Sequence, residues 1–295
     1  MQANDTMGIP CQTFADRVKE KSNGRIQLTL YFGRQLGDDR QLTEAVQQGS
    51  LDMFEISAVI VGNTNPGLYS LQLPFLFRDW DKYKEIVCGE AGQKLLDDLE
   101  ETNLKGLAFF DAGFRVIATN KRIEKLEDME HLKIRTAETP LHVDIFKALG
   151  TNPTPMVFGE VYSGLQNRVI DACETTWSGF QSEKYGEVAD YAIATNHFTW
   201  PGLLAINKDI FDSLSVDDQN LLVETAKEVQ AEHIEWLKNE ESNYKKLAEE
   251  VHGVTIIELP DSEWNRLVEA TKGVWEDYSG KYPAIAEFVN YVEGK

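Results

Sequence analysis

Apolar and polar positions alternate with two different periods over the first sixty residues. Between Gly24 and Gly33 every second side chain is apolar: Ile26, Leu28, Leu30 and Phe32. This pattern is typical of a half-buried strand. A helix is predicted over about 39–48, and Gly49 ends it. A second short strand is predicted over 52–56.

Predicted helices and short apolar strands then take turns through the middle of the chain. This alternation is typical of an α/β fold with largely parallel sheets. The predicted elements are a loop at 66–74, a helix at 79–101 and strands at 104–110, 115–118, 133–136, 169–173, 191–194 and 203–207.

The last third of the chain is dominated by one long helical pattern. Its apolar stripe runs from Ser215 almost unbroken to Gly253, about 37 residues or about 55 Å at 1.5 Å per residue. That exceeds the width of one small domain, so we expect the helix to lie across two. A late strand over 254–258 must join a sheet formed earlier, which predicts that the chain crosses between domains more than once.

Length and charge narrow the class of protein. A chain of 295 residues predicts about two domains. The 29 basic and 49 acidic residues give a net charge of −20, which disfavours nucleic acid and anionic membrane surfaces as partners. A small anionic ligand stays compatible, because salt screens distant charges and local arginines outweigh them. Without a run of 18 apolar residues, no membrane span is predicted.

Motifs for cofactor or metal chemistry do not occur in the sequence. It has no P-loop, no G-x-G-x-x-G, no nucleophile elbow and no histidine spacing typical of metal ligands. We therefore predict no cofactor, no metal and no enzyme. The three separate cysteines, Cys11, Cys88 and Cys173, are predicted to be single buried thiols. His233 and His252 are predicted to be exposed.

Two arginines fall at or within predicted strands. Arg115 follows Gly113-Phe114, and Arg135 ends Lys133-Ile134-Arg135. A buried guanidinium needs a counter-charge or several acceptors. One interpretation is a structural salt bridge to an Asp or Glu. The other is a fork that holds a ligand carboxylate with two parallel hydrogen bonds, a geometry that lysine does not offer.

Ordered motifs from residue 10 to the C-terminal helices carry a family resemblance. The chain resembles the solute-binding proteins of TRAP transporters, the DctP family of extracytoplasmic solute receptors. The matching stretches include Gln35-Leu36-Gly37-Asp38-Asp39-Arg40, Pro74-Phe75-Leu76-Phe77-Arg78-Asp79, Gly113-Phe114-Arg115, Lys133-Ile134-Arg135, Pro153-Thr154-Pro155-Met156 and Thr195-Asn196-His197, together with Asp171 and Glu174.

The resemblance implies a two-lobe α/β fold of the periplasmic-binding-protein type, with a long helix spanning both lobes. Lobe I would hold 1–112 and 201–245, and lobe II 113–200 and 246–295. Family members begin with a strand and an export signal ahead of the first helix. The chain begins at Met1, past that strand, so we expect a signal peptide already removed and a central strand missing.

The resemblance also implies the ligand site. Arg135 matches the family's carboxylate clamp, Arg115 an assisting arginine, and Phe158 an aromatic that packs on the ligand. Thr175 stands where many sugar-acid receptors have Asn. Asp39 and Ser57 match loop positions that face the cleft in some members. Trp177 and Trp200 would form walls of the cleft, although both are as consistent with core packing.

The implied function is a periplasmic receptor that closes on a small organic acid and delivers it to TRAP membrane subunits. A monomer is expected, with a sugar acid or other carboxylate as ligand. The alternatives are a C4-dicarboxylate, an aromatic acid or a small sulfonate, or a sensor that uses the same cleft. An enzyme of the same shape would need a polar constellation that the sequence does not display.

Overall fold

Strands and helices alternate over residues 5–294, which the computed structural model describes. Residues 1–4 and 295 lie outside the described residues, and so does the chain start that the sequence predicts to follow a missing first strand. The strands are β1 Met53–Ser57, β2 Leu104–Thr119, β3 Lys133–Thr136, β4 Asn152–Pro155, β5 Ala172–Thr176, β6 Tyr191–Ile193, β7 Thr199–Asn207 and β8 Thr255–Ile257. The α-helices are α1 Gly8–Lys21, α2 Asp39–Gln47, α3 Ala58–Val61, α4 Trp80–Val87, α5 Glu90–Asp97, α6 Pro140–Ala148, α7 Val161–Gln166, α8 Gly179–Ser182, α9 Lys208–Ser213, α10 Val216–Glu250, α11 Asp261–Lys281 and α12 Pro283–Glu293.

One long strand, β2, is shared by two halves of the sheet. The order is β1-β7-β2-β5-β3-β4, with β6 paired to β2 and β8. Residues 104–114 of β2 pair with β7, and residues 115–119 pair with β5 and β6. We call the half with β1 and β7 lobe I, and the half with β3–β6 and β8 lobe II.

The sheet is mixed, so the prediction of largely parallel sheets is only partly right. Lobe I is antiparallel throughout, because β7 runs back beside both β1 and β2. In lobe II, β3 pairs in parallel with β4 and β5, and β6 pairs in parallel with the late strand β8. The predicted late strand that returns to an earlier sheet is confirmed.

β2 joins two strands that the sequence pattern separates. Asp111-Ala112-Gly113 interrupts the apolar run, yet the backbone stays extended through it with a register shift between Asp111 and Phe114. Gly113 has φ +117°, a conformation that favours glycine, and its N–H donates to Asp111 Oδ1 at 2.6 Å. This bulge lets a single strand of 16 residues serve both lobes.

The predicted long helix is confirmed as α10, 35 residues begun by a Ser215 N-cap. Buried side chains fasten it to β2: Gln230 Oε1 accepts from the N–H of Phe109 at 2.8 Å, and His233 Nε2 lies 2.7 Å from the carbonyl oxygen of Asp111. His233 is therefore buried, and its predicted exposure is wrong. His252, beyond the helix, is half-buried.

Other local predictions fail for identifiable reasons. The strand predicted between Gly24 and Gly33 does not form: residues 27–32 have no regular secondary structure and no ladder partner among residues 5–294. The predicted helix 79–101 is broken by a turn at Cys88–Gly89 into α4 and α5, with a 3-10 turn at Asp98–Thr102. Cys88 is consequently exposed rather than buried, and all three cysteines are free. Pro66–Gln72, predicted as a loop, forms a buried 3-10 helix.

The lobe boundaries taken from the sequence stay a prediction. β2 and α10 run through both halves, and α12 packs on the 3-10 helix Pro66–Gln72. As for membrane spans, among residues 5–294 no helix combines the length and apolar character that crossing a bilayer requires.

Candidate functional site

Two buried arginines share one buried glutamate where three strands of lobe II lie side by side. Arg115 is in β2, Arg135 in β3, and Glu174 in β5 between them. Glu174 Oε1 accepts from Arg135 Nη1 at 3.0 Å, while its Oε2 pairs with the Arg115 guanidinium. Arg115 Nη2 also donates to the Glu174 carbonyl oxygen at 2.7 Å. We call these three residues the arginine site.

The arginine site carries one uncompensated positive charge. Two guanidiniums and one carboxylate leave +1, and the exposed fractions are 4% for each arginine and 1% for Glu174. Burial lowers the pKa of Arg115, and the adjacent Glu174 carboxylate opposes this shift. A buried net charge is costly, so the site favours an anion.

Hydrogen-bond donors remain for such an anion. Arg135 Nε donates to the carbonyl oxygen of Met156 at 3.0 Å and Nη1 to Glu174, while Nη2 has no hydrogen bond with residues 5–294. Arg115 likewise leaves Nη1 without a partner in that part of the chain. Glu174 and Met156 thus hold the Arg135 fork in place and leave one edge of it available.

Aromatic rings cover the guanidiniums. The Arg115 Cζ lies 4.1 Å from the ring centroid of Trp200, which comes from β7. Phe158, in a 3-10 turn after β4, lies 5.8 Å from the Arg135 Cζ and 4.6 Å from the Cζ of Arg34. A cation on an aromatic face gains electrostatic energy while water is kept away.

Two buried histidines lie behind the arginines and stay neutral. His142 Nε2 lies 3.1 Å from Gln72 Oε1, and its ring stacks on Phe198 at 4.7 Å. His197 Nδ1 lies 2.7 Å from Thr195 Oγ1. Burial lowers both pKa values well below the ordinary range, and the Arg115 charge adds to the effect. The histidines therefore add no positive charge to the site.

Two further predicted positions, Asp39 and Ser57, contact each other in lobe I. Asp39, the first residue of α2, accepts from the N–H of Ser57 at 3.4 Å. The Ser57 hydroxyl is buried at the end of β1 and has no partner among residues 5–294. Burial raises the pKa of Asp39, and the positive charge of Arg34 opposes the rise.

Among residues 5–294, no hydrogen bond joins the other two predicted positions to the arginine side chains. The Thr175 hydroxyl donates to the carbonyl oxygen of Thr176 at 3.5 Å. Thr175 stands opposite Val116 in the β2–β5 register, and Arg135 stands opposite Cys173 in the β3–β5 register. Trp177 packs on Phe180 and lies beside α10. Ligand contacts for both stay predictions.

Sequence reasoning missed four participants. Glu174 was one residue beyond a predicted strand and was not recognised as the shared counter-ion, although a buried arginine in a strand demands one. Gln72, His142 and Arg34 lack any local signal, because their partners lie 70 residues or more away in the chain.

The chain is similar to known proteins over most of its length. Residues 1–281 match the family described as "Bacterial extracellular solute-binding protein, family 7", DctP. The 2,3-diketo-L-gulonate-binding periplasmic protein YiaO of Escherichia coli is 36% identical over 226 residues, 76% of this chain and 69% of that protein. The C4-dicarboxylate-binding periplasmic protein DctP of Vibrio cholerae is 30% identical over 272 residues, 92% of this chain and 81% of that protein.

Among solved structures, a TRAP periplasmic solute-binding protein from Bradyrhizobium in complex with α/β-D-galacturonate superposes with a TM-score of 0.93. It is 29% identical, and the alignment covers 99% of this chain and 97% of that one. The two-lobe architecture expected from the sequence is therefore confirmed.

Proposed function

The chain belongs to family 7 of the bacterial extracellular solute-binding proteins, the periplasmic DctP receptors of TRAP transporters, and from that membership we propose that it binds a sugar acid between its lobes. The ligand carboxylate meets Arg135, with Arg115 assisting and Phe158 packed on the ligand. The protein then presents the acid to TRAP membrane subunits. It acts by binding and lobe closure and does not turn the acid over.

One observation carries the proposal: a net charge of +1 in a buried site with unfilled guanidinium donors. A carboxylate would cancel the charge and accept from Arg135 Nη2. Such charge-assisted contacts are about twice as strong as neutral hydrogen bonds. A sulfonate would also cancel the charge, but its three oxygens match the planar fork less well than two coplanar ones.

The lobe I groups favour a hydroxylated acid over a C4-dicarboxylate. Asp39 and Ser57 offer a carboxylate and a hydroxyl, which suit sugar hydroxyl groups. A second ligand carboxylate would be repelled by the Asp39 carboxylate in its ionised form. YiaO and the Bradyrhizobium receptor, whose names specify sugar acids, support this preference, whereas the Vibrio protein supports the dicarboxylate alternative.

A thermal-shift screen tests the proposal. D-galacturonate, D-glucuronate and L-gulonate are compared with succinate, isethionate and, as a matched control, the methyl ester of D-galacturonate. A ligand at 100 times its Kd stabilises the folded state by about 2.7 kcal/mol. At least one sugar acid should raise the melting temperature, and the ester should not. A shift with succinate alone would replace the sugar acid by a dicarboxylate.

A further inference from the structure

Arg34 joins the two lobes at an exposed position. It lies in the turn before α2, on the lobe I side, and its guanidinium carbon stands 4.6 Å from the ring of Phe158 on the lobe II side. We call this pair the rim contact. The same ring lies 5.8 Å from the Arg135 Cζ, so one aromatic ring is shared by cations from both lobes.

The backbone at Arg34 has an uncommon left-handed conformation. Arg34 has φ +59°, a left-handed conformation that side chains other than Gly, Asn and Asp seldom adopt. The turn accommodates this with the N–H of Gly37 donating to the Arg34 carbonyl oxygen at 3.2 Å. Among residues 5–294 the Arg34 guanidinium has no hydrogen bond or salt bridge, and the Phe158 ring is the group that it contacts.

The charges around Arg34 come from both lobes as well. On the lobe I side its positive charge opposes the burial-driven rise in the pKa of Asp39, and on the lobe II side it does the same for Glu183. Arg34 therefore lies within electrostatic range of acids on each side. Separation of the lobes would remove Phe158 and Glu183 from it together.

We propose that the rim contact holds the lobes closed and slows ligand release. Arg34 and Arg135 repel each other across the Phe158 ring, and an anion on Arg135 reduces that repulsion. Binding of the acid and formation of the rim contact should therefore strengthen each other, as coupled equilibria require. The effect on release rests on the proposed receptor function, whereas the rim contact itself does not.

The first test needs no ligand. A double-mutant cycle in the free energy of unfolding combines Arg34→Ala with Phe158→Leu. A matched cycle replaces Arg34→Ala by Arg40→Ala, which removes the same charge from an exposed arginine paired with Glu44. The closed form accounts for part of the free protein, so coupling equivalent to up to about a five-fold change in the unfolding equilibrium is expected, and for Arg34 only. Equal coupling in the two cycles would overturn the rim contact.

The second test measures release of D-galacturonate by stopped flow. Arg34→Ala should release it about two- to five-fold faster than wild type, Arg34→Lys less so, and Arg40→Ala at the wild-type rate. Equal rates for Arg34→Ala and Arg40→Ala would overturn the effect on release. If wild type binds none of the screened acids, the proposed function fails, and the unfolding cycles still decide the rim contact.

Discussion

At the scale of single residues, a structural counter-ion is compatible with the proposed ligand clamp. Glu174 neutralises one of two guanidiniums and fixes the orientation of both. The two interpretations that the sequence left open for the arginines are therefore compatible. The arginines themselves were recognisable from their strand motifs. Glu174 could not be assigned to them from the sequence. It lies 39 residues from Arg135 and 59 from Arg115 in the chain, and only the order of the strands in the sheet brings the three side chains into contact.

Replacing Arg135 should mainly affect binding. Arg135→Ala should weaken sugar-acid affinity by about 30-fold or more, because truncating one partner of a buried charged pair costs about 2–5 kcal/mol. Arg135→Lys should not restore it, since an ammonium lacks the planar fork. Arg115→Ala should cost less. Isothermal titration calorimetry measures all three, and an affinity within threefold of wild type for Arg135→Ala would refute the clamp.

Glu174→Gln should separate stability from binding. Removing the shared carboxylate raises the charge of the arginine site from +1 to +2, and breaking a buried pair costs about 3–5 kcal/mol of unfolding free energy. The melting temperature of the free protein should fall, and the increase caused by saturating D-galacturonate should exceed that of wild type. Glu44→Gln, which alters an exposed pair with Arg40, is the matched control. An unchanged ligand-induced increase would contradict this account.

At the scale of elements, strong periodicity in the sequence predicted helices and strands correctly, whereas the pairing of strands distant in the chain was not predictable from it. α10 and β8 follow from stripe length and position alone. Residues 27–32 show the opposite case, because alternation predicts a strand there, but a strand also needs a neighbouring strand to pair with. β2 shows a third case, since Asp111-Ala112-Gly113 looks like a break and serves as a bulge.

The β2 bulge should leave a pH signature. Burial raises the pKa of Asp111 to about 7 from an ordinary 3.8, so the folded state holds this proton more tightly than the unfolded state. The stabilising contribution is complete below about pH 4 and is lost as the pH rises through 7, at up to about 1.4 kcal/mol per pH unit.

Asp111→Asn isolates that contribution, because Asn resembles the protonated acid and can still accept from Gly113. Burial lowers the pKa of His233 to about 4, which acts in the opposite direction, but His233 is present in both proteins and cancels in their difference. Urea unfolding between pH 4 and 8 should show the variant gaining on wild type as pH rises. Parallel stability curves would mean that Asp111 does not titrate in this range.

At the scale of the whole molecule, crossing segments tie the lobes together, and one hydrophobic cluster continues from Phe54 and Leu203 in lobe I to Ile134 and Ile257 in lobe II. β2 and α10 form the connection, and a partly buried hydrogen bond from Trp80 Nε1 to Glu241 Oε2 at 2.8 Å ties α10 to α4. Around the arginine site the lobes touch through side chains: Trp200 on Arg115 and Arg34 on Phe158. We expect the lobes to open by rotation about β2 and α10.

Closure should therefore depend on the ligand and on the clamp. A ligand shifts a two-state equilibrium only by its difference in affinity for the two states, and contacts with both lobes exist only in the closed one. Small-angle X-ray scattering with saturating D-galacturonate should give a radius of gyration near the compact-chain value of about 19 Å. Without the acid the average value should be larger, because the free protein then exchanges between the closed form, which has the rim contact, and more open forms. Arg135→Ala, measured with the same concentration of acid, should keep the larger value because the acid no longer binds. Arg40→Ala should close as wild type does. If wild type showed one radius with and without an acid that calorimetry proves to be bound, rotation of the lobes would be excluded as the response to ligand.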